Sequence, residues 1–188
     1  MSKPDRRLVI LGVAWSIGLA ASGWSPFDRA TWWMEVAPVL IAFHGFVLML
    51  GGAYSYARVP VGFMVQDWLH LARNPYDRFG HLIQGFVPAI VLRELLIRGR
   101  HIASPRLLTI TVLAYCLAIS ALYELIEFGA AVALGEGADA FLGTQGDPWD
   151  TQWDMLMCLV GAALAVMLLS RPHDRQIART DDGQIVRP

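Results

Sequence analysis

One imidazole and a run of carboxylates are the residues of this chain whose types and spacing could do chemistry together. Asp77 and His81 stand four apart, Glu124 and Glu127 three apart, and Asp150 and Asp154 four apart, so on helices each pair shares a face. Glu136, Asp139 and Asp147 lie between the last two pairs, and no Lys or Arg occurs from Leu107 to Ser170. Carboxylates without a local countercharge must be protonated, hydrated, paired with a distant part of the chain, or bound to a cation. An imidazole among carboxylates suits a divalent metal, with His81, Glu124, Glu127 and Asp154 as its ligands. Oxygen-rich ligation favours Mg, Mn or Ca, and a single His also admits Zn. Without a metal, crowded carboxylates cannot all ionise, which leaves one as a poised acid beside an ionised base. The candidate catalytic residues are therefore His81, Glu127, Asp77, Glu124, Asp150 and Asp154, with Glu127 and His81 foremost. Asp150 also stands where a helix amino-cap belongs. Asp147, extended by the following Pro148, reads as a loop residue.

The elements that must position these residues are membrane helices. Of 188 residues, 55% are hydrophobic and 16% charged, and the mean hydropathy is +0.45. This composition predicts an all-α polytopic transmembrane helical bundle of about five spans plus an interfacial helix, in one membrane domain over 1–170. The net charge of −1 hides a segregation, with basic residues at the termini and around Arg93–Arg106 and acids in the loop before Asp150. No basic footprint for nucleic acid exists, and the lipid bilayer is the expected partner. Cys116 and Cys158 fall in apolar stretches and read as reduced packing residues.

Along the chain, Leu8–Gly23 is the first expected span, Trp24–Glu35 a connection, and Val36–Ala57 the second span, carrying His44 and the pair Gly51-Gly52. Val61–Ala72 mixes Trp68 and Leu69 with Asp67 and His70 and suits an interfacial helix, entered at Pro60. Asn74-Pro75 breaks the chain before a third span from Asp77 to about Ile97. Leu107–Leu134 and Asp150–Ser170 are the fourth and fifth. Arg171–Pro188 is polar and reads as a disordered cytoplasmic tail. The arginines after the third span and in the tail predict that those ends are cytoplasmic, which puts the acidic loop and all three polar pairs near the outer face of a bacterial inner membrane.

The segments Asn74-Pro-Tyr-Asp-Arg-Phe-Gly-His81, Tyr123-Glu-Leu-Ile-Glu127 and Leu142-Gly-Thr-Gln-Gly-Asp-Pro-Trp-Asp-Thr-Gln-Trp-Asp154 resemble the YjdF family of bacterial inner-membrane proteins. More distantly, the positions of Asp77/His81, Glu124/Glu127 and Asp150/Asp154 are similar to the VanZ-like superfamily. The first resemblance implies an inner-membrane location and no particular activity. It also implies a further span before the Gly-Gly-x-Tyr-x-Tyr segment, for which Glu35–Ala57 is short.

Three functions fit the cluster. One is a membrane-embedded hydrolase or transferase, metal-dependent or acid/base, acting on a lipid-linked or envelope small molecule. Another is a structural polar network that fixes helix register. The third is a proton- or cation-linked transporter or sensor, although only His44 and Arg93/Glu94 could continue a path inward. A Ser nucleophile elbow, a His-Glu-x-x-His helix and a glycine-rich phosphate loop are all absent from the sequence.

Overall fold

The computed structural model describes residues 29–134 and 144–185, together with Ala14, Ile17, Gly18 and Ala21. The rest of the first expected span, and the loop residues Glu136 and Asp139, lie outside the described residues. Among the described residues five helices follow in order: α1 (Arg29–Ala53), α2 (Pro60–Leu69), α3 (Tyr76–Arg98), α4 (Pro105–Leu134) and α5 (Asp150–Ile185). The expected helical membrane bundle is what forms, and no strand occurs among the described residues. By length and composition α3, α4 and α5 can each cross a bilayer. In α1 the apolar stretch among the described side chains is Val39–Ala53.

Two boundaries differ from the sequence reading. The helix of α1 starts at Arg29, inside the expected connection, and ends at Ala53, where Ser55 and Tyr56 turn the chain with positive φ. At the other end, the residues expected as a disordered tail continue α5 from Arg171 to Ile185, through Pro172. A proline inside a helix costs about 3 kcal/mol, and here tertiary contacts offset it. Arg93 of α3 reaches Asp174 at 2.6 Å and His173 Nδ1 at 3.2 Å, while Ile177 is buried. Arg93 therefore works between helices, buried, although its sequence position suggests a flanking charge.

The core of the bundle is the α3–α4–α5 packing. Glycines on facing helices set the α3–α5 spacing. A Cβ on Gly85 would overlap the Cys158 carbonyl, and one on Gly161 would overlap the Leu82 carbonyl. Close backbone approach through small residues is how helices associate where lipid is as apolar as the side chains. Val112, Cys116, Cys158, Ala162 and Ala89 fill the middle and are fully buried. Both thiols are free, and they lie against backbone carbonyls, Cys158 Sγ 3.3 Å from Cys116 O and Cys116 Sγ 3.7 Å from Gly85 O.

A smaller cluster joins α1 to the amino end of α3 through Val47, Val59 and Tyr76, with the Tyr76 hydroxyl donating to Val47 O at 2.9 Å. Gly51 is required in this region because the Tyr56 ring packs where its side chain would be.

Candidate functional site

The polar pairs meet at the end of the bundle opposite Arg93. His81, in the second turn of α3, points its Nε2 at Glu124 Oε1 of α4, 3.3 Å away, and lies 4.0 Å from Asp77 Oδ1 on its own helix. The other ring nitrogen is 3.1 Å from the Ser120 hydroxyl, one turn before Glu124. A Ser120 oxygen accepting from Nδ1–H leaves the Nε2 lone pair directed at the carboxylates, the arrangement in which a histidine ligates a metal. Tyr123 packs edge-on against the imidazole, with ring centroids 6.1 Å apart. His81 is 4% exposed, Glu124 8%, Asp77 6%, Asp150 6% and Asp154 2%. That five ionisable side chains are this buried makes the cluster expensive unless something compensates it.

Two triads share Asp154. The donor atoms of His81, Glu124 and Asp154 all lie within 4.8 Å of one another, and so do those of Asp77, Asp150 and Asp154. A point central to a triangle of that size is no more than about 2.8 Å from each corner, a few tenths of an ångström beyond calcium–oxygen bonds. Glu124 Oε1 and Asp154 Oδ1 are buried without a hydrogen-bond partner. For Glu124 the imidazole is near enough in distance but is not aligned as a hydrogen bond.

Glu127, read from the sequence as a leading ligand, is half-buried one turn nearer the helix end and belongs to neither triad among the described residues. The helix period explains the difference. Three residues advance about 300°, so Glu127 is offset by about 60° from Glu124 on the same face and lies one turn nearer the helix end than the residue that meets His81.

The countercharges come from a distant segment. Arg73 pairs with Asp150 and lies 3.6 Å from Asp147, while Arg78 donates to Asp147 at 2.5 Å and stacks over Trp153 at 5.3 Å. Asp150 thus spends its carboxylate on Arg73. The local acceptor for the turn is Asp147, which takes the Trp149 N–H at 2.9 Å. That backbone N–H, and then Arg78, hold the Asp147 carboxyl below its ordinary value of 3.8. Asn74 and Gln145 clasp the same two segments, the Asn74 N–H donating to the Gln145 side-chain oxygen at 2.9 Å and the Gln145 amide donating to Asn74 O at 3.1 Å.

Sequence reasoning missed Arg73, Ser120 and the Asn74–Gln145 clasp. Charge balance carried a signal for the first, since Arg73 and Arg78 are the only Lys or Arg residues between Arg58 and Arg93. Nothing in a lone Ser on an apolar helix marks it.

Residues 37–175 match a family model described as a predicted membrane protein (DUF2238). The inner membrane protein YjdF of Escherichia coli (strain K12) is 49% identical over 86% of this chain and 88% of its own length. No solved structure matches. With its long apolar helices, the chain is an integral, multi-pass inner-membrane protein, and it belongs to the DUF2238 membrane protein family.

Proposed function

We propose that this protein holds a divalent cation between His81, Glu124, Asp154, Asp77 and Asp150, near the outer membrane face, and acts with it as a hydrolase or transferase on a lipid-linked or envelope substrate. One observation carries the reading: Glu124 Oε1 and Asp154 Oδ1 are buried acceptors with no donor, in triads that share Asp154. An unsatisfied buried acceptor costs about 1–3 kcal/mol, and more when it is charged. A cation turns that cost into coordination.

The bound cation would polarise a phosphoryl or carbonyl oxygen and lower the pKa of a water. The chain's own part is positional. Ser120 fixes the His81 ring, Arg73 holds Asp150 in place, and Glu127, half-buried and outside the triads, is free to exchange a proton with a substrate. An outer location is supported by charge, because Arg93, Arg98, Arg100 and Arg106 all belong to the opposite end of α3, its following turn and the first turn of α4.

A relay across the membrane is less well supported. Between His81 and Arg93 the buried residues of α3 are Gln84, Gly85, Val87 and Ala89, and Val112, Cys116, Cys158 and Ala162 pack about Ala89, so Gln84, one turn from His81, is the one buried amide, carboxylate or imidazole among them.

The test is elemental analysis of detergent-purified protein. At least one equivalent of a divalent metal is expected in wild type and in Asp147→Asn, with loss in Asp154→Asn and His81→Ala. Binding should also weaken as pH falls, because protons compete for the ligands. Folded wild type that neither retains nor takes up metal would overturn the proposal.

A further inference from the structure

The two triads are joined by one carboxylate. Asp154 belongs to both, whereas His81 and Glu124 belong only to one and Asp77 and Asp150 only to the other. Asp154 is 2% exposed and nothing donates a hydrogen bond to its Oδ1, and Glu124 Oε1 is orphaned in the same way. A carboxylate that gives one oxygen to each of two cations holds them about 3.5–4 Å apart. His81 Nε2 and Asp77 Oδ1, from different triads, are 4.0 Å apart, so the two donor sets lie side by side at that spacing. Arg73 is on Oδ1 of Asp150, and a carboxylate so paired keeps a second oxygen that can bind a cation.

Charge gives the number of cations. Asp77, Glu124, Glu127, Asp147, Asp150 and Asp154 gather at this end of the bundle, and Arg73 and Arg78 are the basic side chains paired with them. With His81 neutral as a ligand, four negative charges are left over among these residues. One divalent cation halves that excess, and two cancel it. The donors also differ. His81, Glu124 and Asp154 supply a nitrogen and oxygens, a set that takes zinc, whereas Asp77, Asp150 and Asp154 supply oxygen alone, the set that magnesium, calcium or manganese takes.

We infer that the cluster is a binuclear centre, with one divalent cation in each triad and Asp154 bridging them, and that its substrate is a phosphate ester or anhydride. This rests on the cation centre proposed above and adds to it the second ion and the phosphorus chemistry. Two cations at this spacing clamp both the attacking and the leaving oxygen of an in-line displacement at phosphorus, whereas one ion is enough to polarise a carbonyl. An anionic phosphate also needs both, because with a single ion the site is still negative. In hydrolysis a water oxygen bonds to phosphorus while the P–O bond to the departing group breaks, its electron pair staying on the departing oxygen. Glu127, half-buried beside the triads, takes the proton that the water releases and returns it to that oxygen.

Metal-free, full-length protein in detergent is titrated with Mn(II), bound metal is counted by elemental analysis, and the ions are observed by electron paramagnetic resonance. Wild type is expected to take up two equivalents and to show the exchange-coupled spectrum of ions about 3.5–4 Å apart. Asp77→Asn, isosteric and outside the His81 triad, should keep one equivalent with the spectrum of an isolated ion, and Asp154→Asn should lose both. Inorganic phosphate should bind Mn-loaded wild type at least about tenfold more tightly than Mn-loaded Asp77→Asn. A single, uncoupled equivalent in wild type overturns the binuclear centre and leaves the one-cation centre standing, whereas no metal in folded wild type overturns both. Phosphate bound equally by the two proteins, or by neither, overturns the substrate class. Should Asp77→Asn fail to fold, the count and coupling in wild type decide the pair, and phosphate affinity at one and at two equivalents of Mn(II) decides the substrate.

Discussion

Replacing Arg73 by Met tests whether charge balance or packing holds the site end together. The substitution keeps an unbranched chain of similar reach and removes the guanidinium that pairs with Asp150. The side chains of Arg73 and Asp150 are 11% and 7% exposed, so the carboxylate left behind is poorly hydrated. Its neighbours Asp77 and Asp154 have oxygens within 4.8 Å. Two like charges at that separation repel by about 3.5 kcal/mol at an effective dielectric constant of 20. Removing one partner of a buried pair costs about 3–5 kcal/mol, so the two figures agree. For a chain of this size the loss corresponds to a fall of roughly 6–20 °C in the unfolding midpoint, read by thermal denaturation in detergent without added metal. Adding Asp150→Asn removes the orphaned charge and should recover most of the loss. A divalent cation at about a hundred times its dissociation constant should recover about 2.7 kcal/mol in the single variant. An unchanged midpoint in Arg73→Met would refute the reasoning. A double variant as unstable as the single one would do the same, because it would assign the loss to packing.

Three further outcomes are expected. Gly85→Ala should destabilise by about 1–3 kcal/mol, since its Cβ meets the Cys158 backbone rather than a side chain that can turn away. Gly52→Ala, with nothing within 4 Å of the new atom, is the control and should stay within about 0.5 kcal/mol. Asp147 is held below its ordinary value in the folded chain, so its contribution to closing the 144–149 segment is complete above that value and is lost as pH falls through the lower, folded one. Trp149 fluorescence followed from about pH 6 to pH 3 should report this opening, and Asp147→Asn should abolish the transition. Arg93→Met removes the guanidinium that holds Asp174 and should speed proteolysis between Arg171 and Ile185, by an opening of about 1 kcal/mol because Asp174 is more than half exposed. Unchanged cleavage would show that the end of α5 is held by Ile177 and its neighbours instead.

The sequence by itself determined the solvent, the class of fold and the level at which the polar residues meet. Apolar runs of spanning length can be satisfied in lipid only as helices, and three polar pairs placed at alternate ends of successive helices must converge on one side of a bundle. It also marked His81, Glu124 and Asp154, because charges that face lipid are penalised and the helices must turn these faces inward. Rotation about each helix axis was decided only by tertiary packing. The packing of Leu108, Val112 and Cys116 of α4 against α3 and α5 fixes which residue of the Glu124/Glu127 pair faces His81, and a hydrophobic pattern that is apolar nearly all round α4 carries no such angle. The countercharges were likewise decided in three dimensions. Arg73 and Arg78 lie some seventy residues from Asp147 and Asp150, and an ion pair depends on distance in space, which local sequence does not encode. The helical Arg171–Ile185 followed for the same reason: a polar stretch that would not order alone is held by Arg93, a buried partner on another helix.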